Sequence, residues 1–176
     1  MKKMEIICLT GLEPALVDEL AGILVPVVDD GASIGFRAPL TLDEAKSYWQ
    51  SVPGPGTRIF LARIDGKIAG TVQLHLCQKP NGLHRAEVCK LMVHPDLRRN
   101  GVARKLMMSL EETASAEGRT LLVLDTREGD PSNILYRSLG YTQAGRIPSF
   151  ARSSEGGLDA TVLYYKELQT TESYQV

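Results

Sequence analysis

Cysteine is scarce in this chain. Cys8, Cys77 and Cys89 are an odd number and have no metal-ligand or redox spacing. Buried thiols in a reducing cytoplasm are the expectation, and no neighbouring base lowers any of their pKa values for catalysis. A surplus of charge is also missing: 20 basic residues meet 21 acidic ones, for a formal net charge of −1. That balance offers no electrostatic footprint for nucleic acid or an anionic membrane, so neither is expected as a partner. Any anion site must be local. Long apolar runs are lacking too. The charged opening Met1–Cys8 has no stretch suited to a signal peptide. The apolar segment Leu12–Val28 is broken by Glu13, Pro14, Asp18, Glu19 and Pro26, which makes it too polar for a membrane span. Repeats and low-complexity blocks are absent, and 176 residues with 43% apolar content suit one domain over 1–176.

What is present alternates between strand and helix signals. Glu5–Leu9 reads as a strand and Pro14–Leu24 as a helix, with Pro14 in the first turn, where its missing N–H costs nothing. Asp29–Phe36 reads as a loop, and Thr41-Leu42-Asp43-Glu44 as a capping box opening a helix that carries Tyr48 and Trp49. Ile59–Ile64 and Ile68–Cys77 flank an Asp65-Gly66 turn, as in a hairpin. The turn Lys79–Gly82 then leads to the strand Arg85–Val93. Its apolar residues lose strict alternation near Cys89–Leu91, which predicts a bulge. Val102, Leu106, Leu110 and Ala114 mark a helix that ends at Gly118. Leu121–Leu124 is a strand, Asn133–Leu139 a short helix, and Thr142–Phe150 with Ala160–Lys166 a final hairpin. The order indicates a mixed α/β domain.

The sharpest motif is Arg98-x-x-Gly101-x-Ala103 at a strand-to-helix junction. Two small residues at this spacing let backbone approach a bulky anion, and the free N–H groups of the first helical turn point at it. Arg98, Arg99 and Arg104 add positive charge. The Gly-Lys-Ser/Thr of a nucleotide P-loop and the three glycines of a dinucleotide fingerprint are both missing, which argues against ATP and NAD. Entered from Val88–Val93 and His94-Pro95, the motif resembles the acetyl-CoA pyrophosphate loop of the GNAT acetyltransferases. Leu135-Tyr136-Arg137-Ser138-Leu139-Gly140-Tyr141 resembles the same family's Leu-Tyr-x-x-x-Gly-Phe segment. The likeness runs from about Ile59 to Lys166. It implies a central, mostly antiparallel sheet splayed at the cofactor site and acetyl-CoA as donor without a metal. It also implies cofactor contacts from Leu91, Met92 and Val93 and from Arg98, Arg99, Asn100, Gly101, Val102, Ala103 and Arg104. Gly129 departs from the pattern: many members carry there an asparagine that contacts CoA.

Acetyl transfer to an amine needs a proton acceptor for the ammonium, a donor to the carbonyl oxygen and a donor to the leaving thiolate. The resemblance places Tyr136 as the acid and a backbone amide at Leu91 or Met92 opposite the oxyanion, while Tyr141 packs. Glu87 and Asp125 sit in otherwise apolar strands, where a buried carboxylate needs a partner or a raised pKa. Three roles stay open for them: a water-relayed base, a counter-ion for the substrate ammonium, or salt bridges to Arg85, Lys90 or Arg127. His75, His84 and His94 are weaker base candidates, with surface or structural roles commoner. The segments Gly31–Phe36, Leu76–Leu83, Arg85–Val88 and Leu124–Thr126 resemble a toxin-acetylating branch of the family. This implies acceptor contacts at Ser33, Phe36, Asn81 and Arg85. The expected activity is N-acetylation of a small-molecule amine, amino acid-like or a β-lactam toxin, in antibiotic resistance-type detoxification, by a monomer or homodimer. Acetylation of a protein lysine or N-terminus and non-catalytic sensing of acyl-CoA are the alternatives.

Overall fold

The computed structural model describes residues 3–169; residues 1–2 and 170–176 of the expected domain lie outside the described residues. The elements run β1 (Met4–Leu9), α1 (Pro14–Asp29), α2 (Leu42–Ser51), β2 (Thr57–Ile64), β3 (Lys67–Leu76), β4 (Arg85–Val93) and α3 (Val102–Ala116). They continue with β5 (Leu121–Arg127), α4 (Ser132–Ser138), β6 (Thr142–Arg152) and β7 (Leu158–Glu167). The strands form one sheet in the order β1-β2-β3-β4-β5-β7-β6, and every neighbour is antiparallel except β4 and β5. This is the mixed, mostly antiparallel architecture the sequence predicts. Among the described residues no helix is long and apolar enough to cross a membrane.

Alternation along β2 divides the core into two layers. Ile59 and Leu61 face α1 and α2, while Phe60, Ala62 and Ile64 face α3. The capping box of α2 closes in both directions: Glu44 N donates to Thr41 Oγ1 at 3.2 Å and Thr41 N to Glu44 Oε2 at 2.8 Å. Helix α1 continues past the expected end at Leu24 to Asp29, with Pro26 inside it. Proline costs the helix a hydrogen bond, but Val27 and Val28 beyond it are fully buried and hold the turn against the sheet.

Two features of the sheet create the site. The first is the predicted bulge. Thr71 pairs with Met92 and Gln73 with Cys89, so Val72 faces two residues, Lys90 and Leu91. Lys90 takes a left-handed φ of 56°. The second is the short union of β4 and β5, which pair only from Arg85–Leu121 to Glu87–Val123. Beyond Glu87 the strands part, and β5 stays paired with β7 to Arg127.

Helix α3 packs on β2, β3 and β4 on the side of Phe60. Its buried stripe of Val102, Leu106, Met107, Leu110 and Ala114 lies on the sheet, and each large side chain contributes roughly 1.5–3 kcal/mol by leaving water. Close approach depends on Gly70. A Cβ there would stand 2.7 Å from the Met92 carbonyl oxygen and 3.0 Å from Val102 Cγ1. Gly70→Val is therefore expected to lower stability by about 1–3 kcal/mol through overpacking, read as a fall in Tm. An unchanged melt would mean that α3 can back away freely.

Candidate active site

The gap between β4 and β5 opens into a cavity of about 1230 Å³. Its walls come from the loop after α1, the second half of β4, the turn into α3, the end of β5, the start of α4, and the final hairpin. Leu91, Met92, Val93, Arg98, Arg99, Gly101, Val102, Ala103 and Arg104 all line it. Asn100 does not. Its Nδ2 instead donates to the Leu97 and Arg98 carbonyls at 3.0 and 3.1 Å, bracing the loop from behind.

At the α3 end, Arg99 and Gly101 have φ of 63° and 74°, and this irregular turn leads directly into the helix. The first bond across the cap is Lys105 N to the Gly101 carbonyl at 3.1 Å. Among the described residues the amides of 99–104 find no protein acceptor, as expected for a first turn. Converging free amides at a helix start suit an anion such as a pyrophosphate. Nothing lies within 4 Å of a Cβ built at Gly101. Backbone conformation, rather than crowding by the protein, is what demands glycine there. The arginines divide. Arg98 is bonded to Asp30 at 2.5 Å and Arg104 Nη2 donates to Ser138 Oγ at 2.7 Å, so both are committed to the fold.

At the other end Tyr136 enters from α4. It is buried, its ring packs edge-on to Tyr141 at 5.7 Å, and its hydroxyl makes no protein hydrogen bond among the described residues. Burial, reinforced by the nearby Asp125 charge, pushes its pKa well above the usual phenol value. The hydroxyl therefore keeps its proton throughout the neutral range. The Cys89 thiol is pushed up to about 12, first by burial and then by the Glu87 charge, so it is no nucleophile. Asn133 closes the turn between β5 and α4. Its Nδ2 donates to the Arg127 and Asp130 carbonyls, both at 2.9 Å, and its Oδ1 accepts from Tyr164 at 2.9 Å. Gly129 occupies the same turn with φ of 85°.

The structure corrects the burial argument for the carboxylates. Glu87, in the last pair between β4 and β5, and Asp125, two residues beyond its partner Val123, are both exposed rather than enclosed. They form no salt bridge with Arg85, Lys90 or Arg127. Arg127 pairs with Asp130 and Asp159 instead, and Lys90 Nζ donates to the Ile34 carbonyl at 2.6 Å. Only Asp125 lines the cavity, with Oδ2 accepting from Thr161 Oγ1 at 2.7 Å. Glu87 stands one register step away on the same face, across from His75 on β3. Burial lowers the His75 pKa, and its Nε2 lies 2.9 Å from Gln73 Oε1. His94 Nδ1 accepts from Asp96 N at 3.2 Å, a local cap.

The four expected acceptor contacts separate in space. Ser33 lines the cavity. Phe36 lies just behind the wall, edge-on to Tyr48 at 4.9 Å. Asn81, in the turn Pro80–Gly82, and Arg85, at the start of β4, are off the cavity wall, because both precede the point where the strands part. Phe150, Ala151, Ala160 and Thr161 supply a wall that no local motif announces. Only the pairing of β7 with β5 brings them there. Among the described residues no group of three or more His, Cys, Asp or Glu is placed to hold a metal ion.

The pattern of the acetyltransferase (GNAT) family matches residues 22–141. A curated relative from Azospirillum brasilense, described as an uncharacterized N-acetyltransferase in the hisH-hisA intergenic region, is 38% identical over 104 residues. That alignment covers 57% of this chain and 62% of the relative, so the chain spans less than two thirds of that protein's length. An N-acetyltransferase from Staphylococcus aureus Mu50 has the same fold, with TM-score 0.80, 18% identity, and coverage of 95% of this chain and 99% of the other. A Salmonella typhimurium protein solved with its cofactor acetyl-CoA gives TM-score 0.77 at 19% identity, covering 97% and 96%. At such identities the structural likeness speaks for the fold.

The cradle at the start of α3 makes a direct prediction. Valine at position 101 resists the left-handed φ of 74°. Gly101→Val should therefore weaken binding of acetyl-CoA at least about tenfold, or roughly 1.4 kcal/mol. Titration calorimetry on the folded variant measures this, and unchanged affinity would remove the loop from the binding site.

Proposed function

The chain belongs to the acetyltransferase (GNAT) family, and on that premise we propose that it moves the acetyl group of acetyl-CoA onto the amine of a small molecule. One observation carries the reading. A single cavity joins a row of unpaired amides at residues 99–104 to the unpartnered Tyr136 hydroxyl across the parted strands. The amides and Arg99 fit the anionic half of the donor. Bound acetyl-CoA would supply the acetyl group as a thioester. Around it, an amide at the bulge, from Leu91 or Met92, serves the carbonyl oxygen as negative charge develops there. Tyr136 holds its proton for the departing thiolate. Asp125, fixed by Thr161, takes the amine's proton through water, with Glu87 as the second carboxylate of the relay.

The acceptor side favours a small substrate over an extended peptide. Ala38 N donates to Ser154 Oγ at 3.0 Å, tying the loop after α1 to the tip of the final hairpin. Both segments also line the cavity, through Ile34 and Gly35 and through Phe150 and Ala151. From the resemblance of Gly31–Phe36, Leu76–Leu83, Arg85–Val88 and Leu124–Thr126 to a toxin-acetylating branch of the family we infer an amino acid-like or β-lactam toxin as acceptor and a detoxifying role. An acetyl-CoA thiol-release screen over amino acids, amino-β-lactams and polyamines tests this. Release with none of them would defeat the reading.

Two variants test the roles. Tyr136→Phe should lower turnover with little change in acetyl-CoA affinity, since a donor used only in the transition state is lost. Normal turnover at saturating substrate would return Tyr136 to packing. Asp125→Asn and Glu87→Gln should each depress turnover and steepen its rise with pH, because more amine must then arrive already deprotonated. The double variant should lose much less than the product of the single losses, as parts of one relay act as a unit. A raised KM with turnover kept would instead make them counter-ions for the ammonium.

A further inference from the structure

Apart from Arg99 and Arg104, the cavity holds two charges without an ion-pair partner among the described residues. Among its basic side chains, Arg98 is paired with Asp30, Arg127 with Asp130 and Asp159, and Arg104 bonds Ser138. Arg99 stands on the amide row. Lys90 lines the same cavity from the β4 bulge, and among the described residues it forms no ion pair. Its ammonium spends one donor on the Ile34 carbonyl at 2.6 Å and lies 5.4 Å from the centre of the Phe36 ring. An ammonium has three donors. A half-buried one beside an aromatic ring, with two donors left over, is a strong site for an anion.

The backbone puts it there twice over. Lys90 is the left-handed residue of the β4 bulge, with φ of 56°. Across from it, Gly35 has φ of 89°, and a Cβ at that position would stand 2.7 Å from Lys90 Nζ. Glycine at 35 thus leaves room for the ammonium beside the loop after α1. Asp125, which lines the same cavity from β5, bonds Thr161 and no cation among the described residues. An unpaired cation on β4 and an unpaired anion on β5 match a zwitterion.

We propose that Lys90 receives the carboxylate of the acceptor, so that the substrate is an amino acid with both its charges free and its amine turned toward Asp125 and Tyr136. This rests on the acetyl-transfer reading, and the test separates the two. Initial rates are compared for L-amino acids and their C-terminal amides in the wild type, Lys90→Met and Lys90→Arg. Taking the acid-to-amide ratio of kcat/KM within each enzyme, then comparing enzymes, cancels the different basicity of the two amines. Lys90→Met should lower the ratio at least about tenfold, as loss of one charge-assisted partner does. Lys90→Arg should restore most of it, and acetyl-CoA affinity should move less than about twofold in either variant. An unaltered ratio in Lys90→Met, acetylation confined to amines without a carboxylate, or a parallel loss of acetyl-CoA affinity would overturn the assignment. Should no amine be acetylated, thermal melts with CoA present decide it. Amino acids but not their amides should raise the wild-type Tm and leave that of Lys90→Met alone; equal effects would overturn it.

Discussion

β4 and β5 hold together for three residue pairs and then separate, and almost everything about the site follows from that parting. A parallel pair needs a crossover; here the crossover is α3, whose first turn lands beside the gap. Strand edges inside a sheet would normally be satisfied by neighbours. Where β4 loses β5, and where the bulge takes Lys90 and Leu91 out of register with β3, polar backbone turns toward open space instead. A cavity between two strands of one sheet is thus lined partly by amides, which is what binding an anion or a developing oxyanion requires.

The gap also decides the electrostatics. Asp125 and Glu87 would be costly inside a continuous sheet; at the parted edge both stay in contact with water. Tyr136 is the opposite case. It is buried against Tyr141 and Tyr164, so its proton is held firmly while its oxygen is left without a protein partner. The cavity is thus lined by one exposed carboxylate, Asp125, and by a phenol that stays neutral.

Several residues that line the cavity serve the fold first. Arg98 fastens the turn before α3 to the end of α1 through Asp30, and Arg127 binds Asp130 and Asp159 around the β5–α4 turn. These bonds fix the rims of the gap. Asn133 and Gly129 together shape the turn that presents Tyr136, the one by side-chain bonds and the other by a left-handed φ. The position where other members of the family carry a CoA-contacting asparagine thus serves backbone geometry here.

Much of this was legible locally. The Asp65-Gly66 turn placed the β2–β3 hairpin, the four-residue apolar stripe placed α3, and Thr41 with Glu44 placed the start of α2, because such patterns depend only on neighbours along the chain. The phase slip around Cys89–Leu91 located the bulge, and Arg98-x-x-Gly101-x-Ala103 located the turn that leaves amides free. Local patterns could not tell where two parallel strands stop pairing, since that depends on partners far away in the chain, such as β7 beside β5. Hence Glu87 and Asp125 looked buried and are exposed, and Asn81 and Arg85 looked near an acceptor and stand off the cavity wall. The wall from Phe150 to Thr161 and the unpaired ammonium of Lys90 had no signature at all. The sequence by itself determined the elements, the bulge and the cofactor turn; tertiary structure alone decided which charges would be left unpaired, because pairing is settled by distances across strands far apart in the chain.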